Sequence, residues 1–259
     1  MSDRIPIDRI PIDRISLELT DLCSKGCWFC YNHSTPAGTR AWPIDDLLEL
    51  IEDCADHGVR AVSFGGGEPL SYPPLFDVLT ALRGRVFRSI TTHGLLLEDE
   101  PLERLVAARP DKVHVSIHVP GNLKEVERVI QQVTLLKARG IPSGVNLLVA
   151  RSGLEAAAGA ARRLHEAGIG NERIVYLPMR GQDTPTPLEV AKVADGPFQS
   201  MSCLSECGSS PRFCSIAVDR TVAWCSYTTT RRKLEASTWR ALTTALEGLG
   251  LAFCGGTSP

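Results

Sequence analysis

Three cysteines in the run Cys23-Ser24-Lys25-Gly26-Cys27-Trp28-Phe29-Cys30 set the problem that the rest of this chain must solve. Their spacing is CxxxCxxC. Directly before them, Ile15-Ser16-Leu17-Glu18-Leu19-Thr20 alternates apolar and polar residues as a strand does. A [4Fe-4S] cluster is held by thiolates, and three thiolates on four irons leave one iron open to a group that is not protein. Gly26 lets the loop turn tightly, so that backbone amides can face such a cluster. Two other readings compete. A zinc knuckle pairs CxxC with a second CxxC or HxxxH, and the roughly forty residues that follow hold no such partner. A disulfide framework suits short secreted chains, whereas 259 residues that are 43% hydrophobic can build a core without staples.

The charge balance narrows the partners. Net charge is −2, no long basic run occurs, and the aromatics are not interleaved with Lys or Arg, so nucleic acid is not an expected partner. No apolar stretch approaches the roughly 20 residues that span a bilayer. The start of the chain is charged and proline-containing rather than signal-like, and a cytoplasmic protein with no membrane association is expected. Nine cysteines in that compartment point to metal or redox chemistry.

Taken in order, residues 1–13 carry a five-residue Asp-Arg-Ile repeat punctuated by Pro6 and Pro11, which excludes a stable helix and predicts an extended, flexible segment. On the first strand Ser16, Glu18 and Thr20 share one face and Leu17 and Leu19 the other, so one side of the sheet faces something polar. Pro43 to His57 reads as a helix closed by Gly58, with Cys54 on its apolar stripe as a core thiol. Ala61 to Phe64 is a second strand followed by Gly65-Gly66-Gly67-Glu68-Pro69, where missing side chains let a ligand approach the backbone. Strand and helix then alternate to strand Arg173 to Leu177, giving six strands. Such alternation implies a parallel sheet with right-handed crossovers. The unusual residues fall after strands, where barrel active sites are built: the cysteine run, GGGEP, Thr91-Thr92-His93-Gly94, His118-Val119-Pro120, Ala150-Arg151 and Pro178-Met179-Arg180.

The CxxxCxxC run with Phe29 before its last cysteine, followed by GGGEP behind a second strand, resembles the radical S-adenosylmethionine (SAM) superfamily. The resemblance implies an α/β fold, a partial (β/α)6 barrel over residues 14–181, with Cys23, Cys27 and Cys30 holding a [4Fe-4S] cluster whose open iron binds SAM. One electron then splits SAM to methionine and a 5′-deoxyadenosyl radical, which takes hydrogen from an unactivated C–H bond. It further implies that Gly66, Gly67 and Glu68 bind the methionine ammonium, that Ser116 contacts SAM, that Thr92 lies near the substrate and that Met179 lies near adenine. His93 stands where relatives carry asparagine. His118 is a candidate catalytic residue, on the same side of its strand as His114 and Ser116.

A proline-rich linker, residues 182–200, leads to a tail, residues 201–259, of different character. Phe213 to Tyr227 reads as two strands about a two-residue turn at Asp219-Arg220. That turn pairs Val218 with Thr221 and sets Cys214 opposite Cys225, with Cβ atoms about 5 Å apart. Cys207 before the hairpin, and Cys254 after a short amphipathic helix bearing Trp239, Leu242, Leu246 and Leu249, bring the thiols to four. The order resembles a truncated SPASM, or Twitch, domain, which implies one auxiliary [4Fe-4S] cluster in a small C-terminal hairpin and helix domain. Arg220 replaces the glycine common in that hairpin. A zinc staple is the other reading of the same thiols. Cys207 is preferred to Cys203 because it leaves a shorter loop to order, and Cys203 is then a free thiol that could give hydrogen to a substrate radical. The function expected is a radical SAM oxidoreductase or maturase acting on a peptide. A small-molecule dehydrogenase or mutase is the alternative, and a non-catalytic Fe–S carrier is the alternative of another class. An external electron donor such as flavodoxin or ferredoxin, and a separate leader-binding protein, are the expected partners.

Overall fold

A computed structural model describes residues 11–200 and 210–251. In chain order the elements are β1 (Arg14–Glu18), α1 (Ile44–Asp56), β2 (Ala61–Gly65), α2 (Leu75–Ala81), β3 (Phe87–Thr92), α3 (Asp99–Ala108), β4 (Lys112–Ile117), α4 (Leu123–Ala138), β5 (Ser143–Val149), α5 (Leu154–Glu166) and β6 (Ile174–Pro178). They continue with α6 (Pro187–Ala194), β7 (Gln199–Ser200), β8 (Phe213–Ile216), β9 (Thr221–Ala223), β10 (Arg232–Lys233) and α7 (Trp239–Leu246). Six strands, β1 to β6, are each followed by a helix, the α/β class that the alternation predicts. Among the described residues no helix is long and apolar enough to cross a membrane.

The sixth helix is a correction. The prolines of 182–200 read as a linker, yet Pro187 occupies the first helical turn, where its missing N–H costs nothing, and Thr186 and Glu189 form a reciprocal capping box. Prolines here start a helix instead of preventing one. At the other end of the chain α7 stops at Leu246, so Leu249 lies beyond it.

The chain divides into two compact units. The first contains described residues 11–90, 108–110 and 210–251, so the tail groups with the first strand and does not stand apart. In it β1 pairs in parallel with β2, and β2 with β3. On its other edge β1 pairs in parallel with β8, and β9 and β10 follow antiparallel. Ile15, Leu17 and Leu19 are fully buried, as are Leu47, Leu50, Ile51 and Cys54 on the apolar stripe of α1. The opposite face of this sheet is polar. Ser16 sits in register with Ser63 and with Ser215, and Ser63 with Ser89, so four serines cross four adjacent strands. Ser63 and Ser89 share a 2.7 Å hydrogen bond.

The second unit contains described residues 91–107 and 111–200. Strands β4, β5, β6 and β7 pair in that order, all parallel. Val113, Val115, Val145, Leu147 and Val149 are fully buried in it, with Val126, Val129 and Val133 of α4. Asn122 caps α4 through its side-chain oxygen, which accepts from the N–H groups of Lys124 and Glu125.

Candidate functional site

In the first unit, the chain leaving β1 is zipped to the glycine stretch leaving β2. Gly67 N–H donates to Thr20 O at 2.6 Å, and Glu68 N–H to Leu22 O at 2.8 Å. Two backbones this close leave no room for a side chain: a Cβ on Gly67 would stand 2.2 Å from Leu22 O, and one on Gly66 would stand 2.8 Å from Thr20 O. Gly66 also has φ near +103°. The glycines are therefore required by the protein's own packing, whatever they do for a ligand.

The cysteine loop is closed at its base. Thr35 N–H donates to Asp21 O at 3.0 Å and Cys23 N–H to Thr35 O at 2.9 Å. Arg40 clasps Asp21 from its backbone N–H at 2.8 Å and from Nε at 2.7 Å. Burial works against the Asp21 charge, but those bonds prevail and hold the carboxyl below its usual range.

Inside this frame Cys23, Cys27 and Cys30 are half-buried thiols that form no disulfide. Burial raises the Cys23 thiol, with Glu68 and Cys30 adding to the rise, while the backbone N–H groups of Lys25 and Gly26 aim at its sulfur and oppose it. Soft thiolates fit an iron–sulfur cluster, and backbone N–H donors directed at a ligand sulfur fit it as well. Among the described residues no three His, Cys, Asp or Glu side chains converge as they would on a single metal ion. Phe29 lies edge-on to Trp28, with ring centroids 5.5 Å apart, and Trp28 is 85% exposed. Glu68 is fully buried, and its Oε1 accepts from Leu70 N–H at 3.0 Å, so part of its hydrogen-bonding capacity caps the turn Pro69–Ser71.

The remaining residues that the resemblance singles out lie in the second unit. Thr92 is buried, and its Oγ1 accepts from Gly94 N–H at 3.0 Å. His93 Nδ1 accepts from Leu95 N–H at 3.0 Å, the role an asparagine oxygen plays in an Asx turn. Arg128 and Gln132 of α4 pin this loop through His93 O at 3.0 Å and Gly94 O at 2.7 Å. Ser116 sits in register with Asn146, both buried, and Asn146 Nδ2 reaches Thr91 Oγ1 at 3.5 Å. Met179 is buried, with its N–H on Val149 O at 2.8 Å. His118 Nδ1 lies 3.9 Å from the buried Glu125 carboxylate, which also accepts from the N–H groups of His118 and Val119. His114 is held down to about 4 by burial, with Lys112 adding to the effect.

The tail corrects the hairpin geometry. Ser215 pairs with Ala223 and Ile216 with Val222, and Ala217 N–H donates to Thr221 O at 2.8 Å. The loop therefore holds three residues, Val218, Asp219 and Arg220, with Arg220 left-handed at φ 63°. A three-residue loop ending in a left-handed residue is a common hairpin closure, and it shifts the register by one from the two-residue turn. Cys214 is thus not opposite Cys225. It is fully buried, in register with Ile15, and burial pushes its thiol far up with a contribution from Cys54. Cys225 is half-buried, and its sulfur accepts from Tyr227 N–H at 3.5 Å. Cys203, Cys207 and Cys254 lie outside the described residues, as does most of the N-terminal repeat.

Sequence reasoning missed a polar cluster around Glu18. Glu18 is 4% exposed, and burial raises its carboxyl against the pull of Arg231, of Val218 N–H at 3.4 Å and of Asn32, with Asp219 adding to the rise. Tyr31 packs on Tyr227 with ring centroids 5.1 Å apart. The polar face of the first strand was the available signal for Glu18. Asn32 carried none, since a polar loop residue two positions after a cysteine is unremarkable until its contacts are seen.

Comparison with known proteins follows the same outline. Residues 17–192 match the Radical SAM superfamily. The chain is 28% identical over 180 residues to the PqqA peptide cyclase of Gluconobacter oxydans, an alignment covering 63% of this chain and 49% of that protein. It is 35% identical over 107 residues to a probable GTP 3′,8-cyclase of Methanosarcina mazei, covering 39% of this chain and 31% of the other. The chain thus spans about half or less of these curated relatives. Among solved structures, Streptococcus suis SuiB bound to its precursor peptide SuiA superposes with a TM-score of 0.67 at 14% identity, over 83% of this chain and 59% of SuiB. The anSMEcpe protein with bound AdoMet and the Kp18Cys peptide superposes with a TM-score of 0.63 at 14% identity, over 90% and 81%.

Proposed function

The chain belongs to the radical SAM superfamily of enzymes, and from that premise we propose that it modifies a peptide at an unactivated C–H bond. When bound, the cluster and SAM supply the one-electron cleavage of SAM, and hence an oxidant able to take that hydrogen. The chain's own part is to hold them. Cys23, Cys27 and Cys30 are the ligands, and the N–H groups of Lys25 and Gly26 stabilise negative charge on the Cys23 sulfur. The zipped backbones at Gly67 and Glu68 fix the second wall of the site relative to the first. Gly66, Gly67 and Glu68 take the methionine end of SAM, and the roles given to Ser116, Thr92, Met179 and His118 rest on the resemblance.

The peptide reading is carried by one observation: the chain aligns with a PqqA peptide cyclase over 180 residues at 28% identity, whereas its alignment of 203 residues to a probable GTP 3′,8-cyclase is only 24% identical; the superposition on SuiB with its precursor peptide agrees with this. A nucleotide or other small molecule is the second reading, favoured by the higher local identity to a GTP 3′,8-cyclase. For the tail we propose a Twitch-like auxiliary cluster with Cys207, Cys225 and Cys254 among its ligands. Cys214 does not fit, because its sulfur is spent in the core, and Cys203 is the thiol left to complete a set of four. An external one-electron donor and a leader-binding partner complete the scheme.

The test is anaerobic reconstitution of the full chain with iron and sulfide, followed by SAM and dithionite. Formation of 5′-deoxyadenosine that is lost in Cys27→Ala is the expected result, and no cleavage by the iron-loaded parent refutes the reading. Mass change in a candidate precursor peptide, against none in nucleotide or small-molecule substrates, separates the two substrate classes.

A further inference from the structure

We propose that Asn32 is a positioning residue for the Cys23/Cys27/Cys30 cluster, donating a side-chain hydrogen bond to the Cys30 sulfur and so setting the ease with which the cluster is reduced. The inference rests on the cluster reading above.

The Asn32 amide is arranged around Cys30 in a way that suits a thiol and not a ligand. Its Oδ1 lies 2.8 Å from Cys30 Sγ, 2.9 Å from Ser34 Oγ and 3.3 Å from Ser34 N. All three approach as donors. Its Nδ2 is buried and has no hydrogen-bond partner, although it faces the Glu18 carboxyl. A buried amide N–H left unpaired is costly, so the present orientation gives up something to accommodate the thiol hydrogen.

Ligation to iron removes that hydrogen, because the thiolate is the ligand. Cys30 then offers only lone pairs, and the 2.8 Å contact would set a carbonyl oxygen against an anionic sulfur. An amide turned over about its last torsion fills the same volume with donor and acceptor exchanged. Once turned, Nδ2 donates to the sulfur. The Ser34 hydroxyl, which rotates freely, accepts the second N–H. Oδ1 moves to the buried position toward Glu18, whose carboxyl burial shifts toward the protonated form, the form that can donate to it. The buried N–H gains a partner and the Cys30 sulfur and Ser34 hydroxyl keep theirs, while the longer 3.3 Å bond from Ser34 N–H is given up. Two neighbours hold the amide in place from opposite sides, Ser34 in the loop and Glu18 on β1, which is what a positioning role requires.

An N–H donor on a ligand sulfur favours the more negative, reduced cluster and raises its potential. The test is an EPR-monitored redox titration of the reconstituted full chain, parent against Asn32→Leu at equal iron content. The signal that responds to added SAM identifies the cluster concerned. We expect a reduction equilibrium about tenfold less favourable in the variant, ~59 mV for a one-electron couple. Potentials agreeing within about a factor of two in that constant would overturn the proposal. Should Asn32→Leu fail to load iron, the parent decides: with asparagine labelled by ¹⁵N at the side chain, pulsed EPR of the reduced cluster should show a ¹⁵N coupling, and a reduced, SAM-responsive cluster without it refutes the bond. A parent protein that forms no cluster sinks the functional reading, and this inference with it, whereas a cluster with normal SAM cleavage and no coupling sinks this inference alone.

Discussion

Ile15 and Cys214 sit side by side on adjacent parallel strands, both fully buried, so the Cys214 thiol belongs to the apolar side of the sheet. Ser215, the next residue, takes the polar side beside Ser16. A sulfur buried there, and shifted far toward the thiol form, is a core side chain. Cys214→Ala should therefore keep its full iron content on reconstitution while losing roughly 1 kcal/mol of stability through the small cavity it leaves. Cys225→Ala should do the reverse, losing the auxiliary cluster's iron with little change in the melting of the sulfide-free protein. Iron analysis and thermal denaturation of the two proteins read this out, and loss of iron from Cys214→Ala would restore it as a ligand.

Gly65 and Gly67, two residues apart, make a controlled comparison. A methyl on Gly67 would lie 2.2 Å from the carbonyl oxygen of Leu22, which is backbone and cannot rotate away, whereas one on Gly65 meets nothing within 4 Å. Gly67→Ala should cost about 1–3 kcal/mol of stability and pull the glycine stretch off the cysteine loop, reducing iron loading as well. Gly65→Ala should change stability by no more than about 0.5 kcal/mol. Denaturant titration with iron analysis separates them, and equal behaviour would show that the zipped backbones can part freely.

How far the sequence could be read follows from what each feature depends on. Helix α1 runs within the span between Pro43 and Gly58 because its limits are set by residues next to it, and the strand alternation around Leu17 and Leu19 is equally local. The hairpin register was not legible, because it turns on the left-handed backbone of Arg220, a conformation ordinarily announced by glycine. Arg220 is held there by partners distant in sequence: it pairs with Asp46 and stacks over Trp42 at 5.0 Å. The four-serine row was hidden for a similar reason. Each serine is unremarkable on its own strand, and only strand pairing aligns Ser16, Ser63, Ser89 and Ser215. The cysteine run was legible because its chemistry is fixed by spacing alone, while the contacts of Asn32 with Cys30 needed coordinates.

His114 predicts an acid limb to stability. Its ordinary value is 6.5, and burial, helped by Lys112, lowers it to about 4 in the folded chain. The unfolded chain therefore takes up a proton between those values while the folded chain does not. Stability from this residue is present above pH 6.5 and is lost as pH falls toward 4, by an amount on the order of 3 kcal/mol. His114→Phe, which keeps an apolar ring where Nε2 has no partner, should flatten that limb. Urea denaturation of both proteins across this range is the measurement, and parallel pH profiles would show that His114 titrates normally in the fold.

Glu18 predicts a slope of the same sign in physical origin but opposite in direction. Burial raises its carboxyl above the ordinary 4.5, so the folded chain holds a proton that the unfolded chain has already released. Its contribution to stability is greatest below pH 4.5 and declines as pH rises through the folded value, since an ionised carboxylate must then be kept in a site that Arg231, Asn32 and Val218 N–H only partly compensate. Glu18→Gln carries a neutral amide of the same length. It should match the parent at acid pH and become progressively more stable than the parent toward pH 8, the difference growing only over the window in which the parent ionises. Denaturant midpoints of parent and variant at matched ionic strength decide it. A Glu18→Gln protein less stable than the parent at pH 8 would mean that the carboxylate is ionised and well paired there, and that Arg231, not burial, dominates the site.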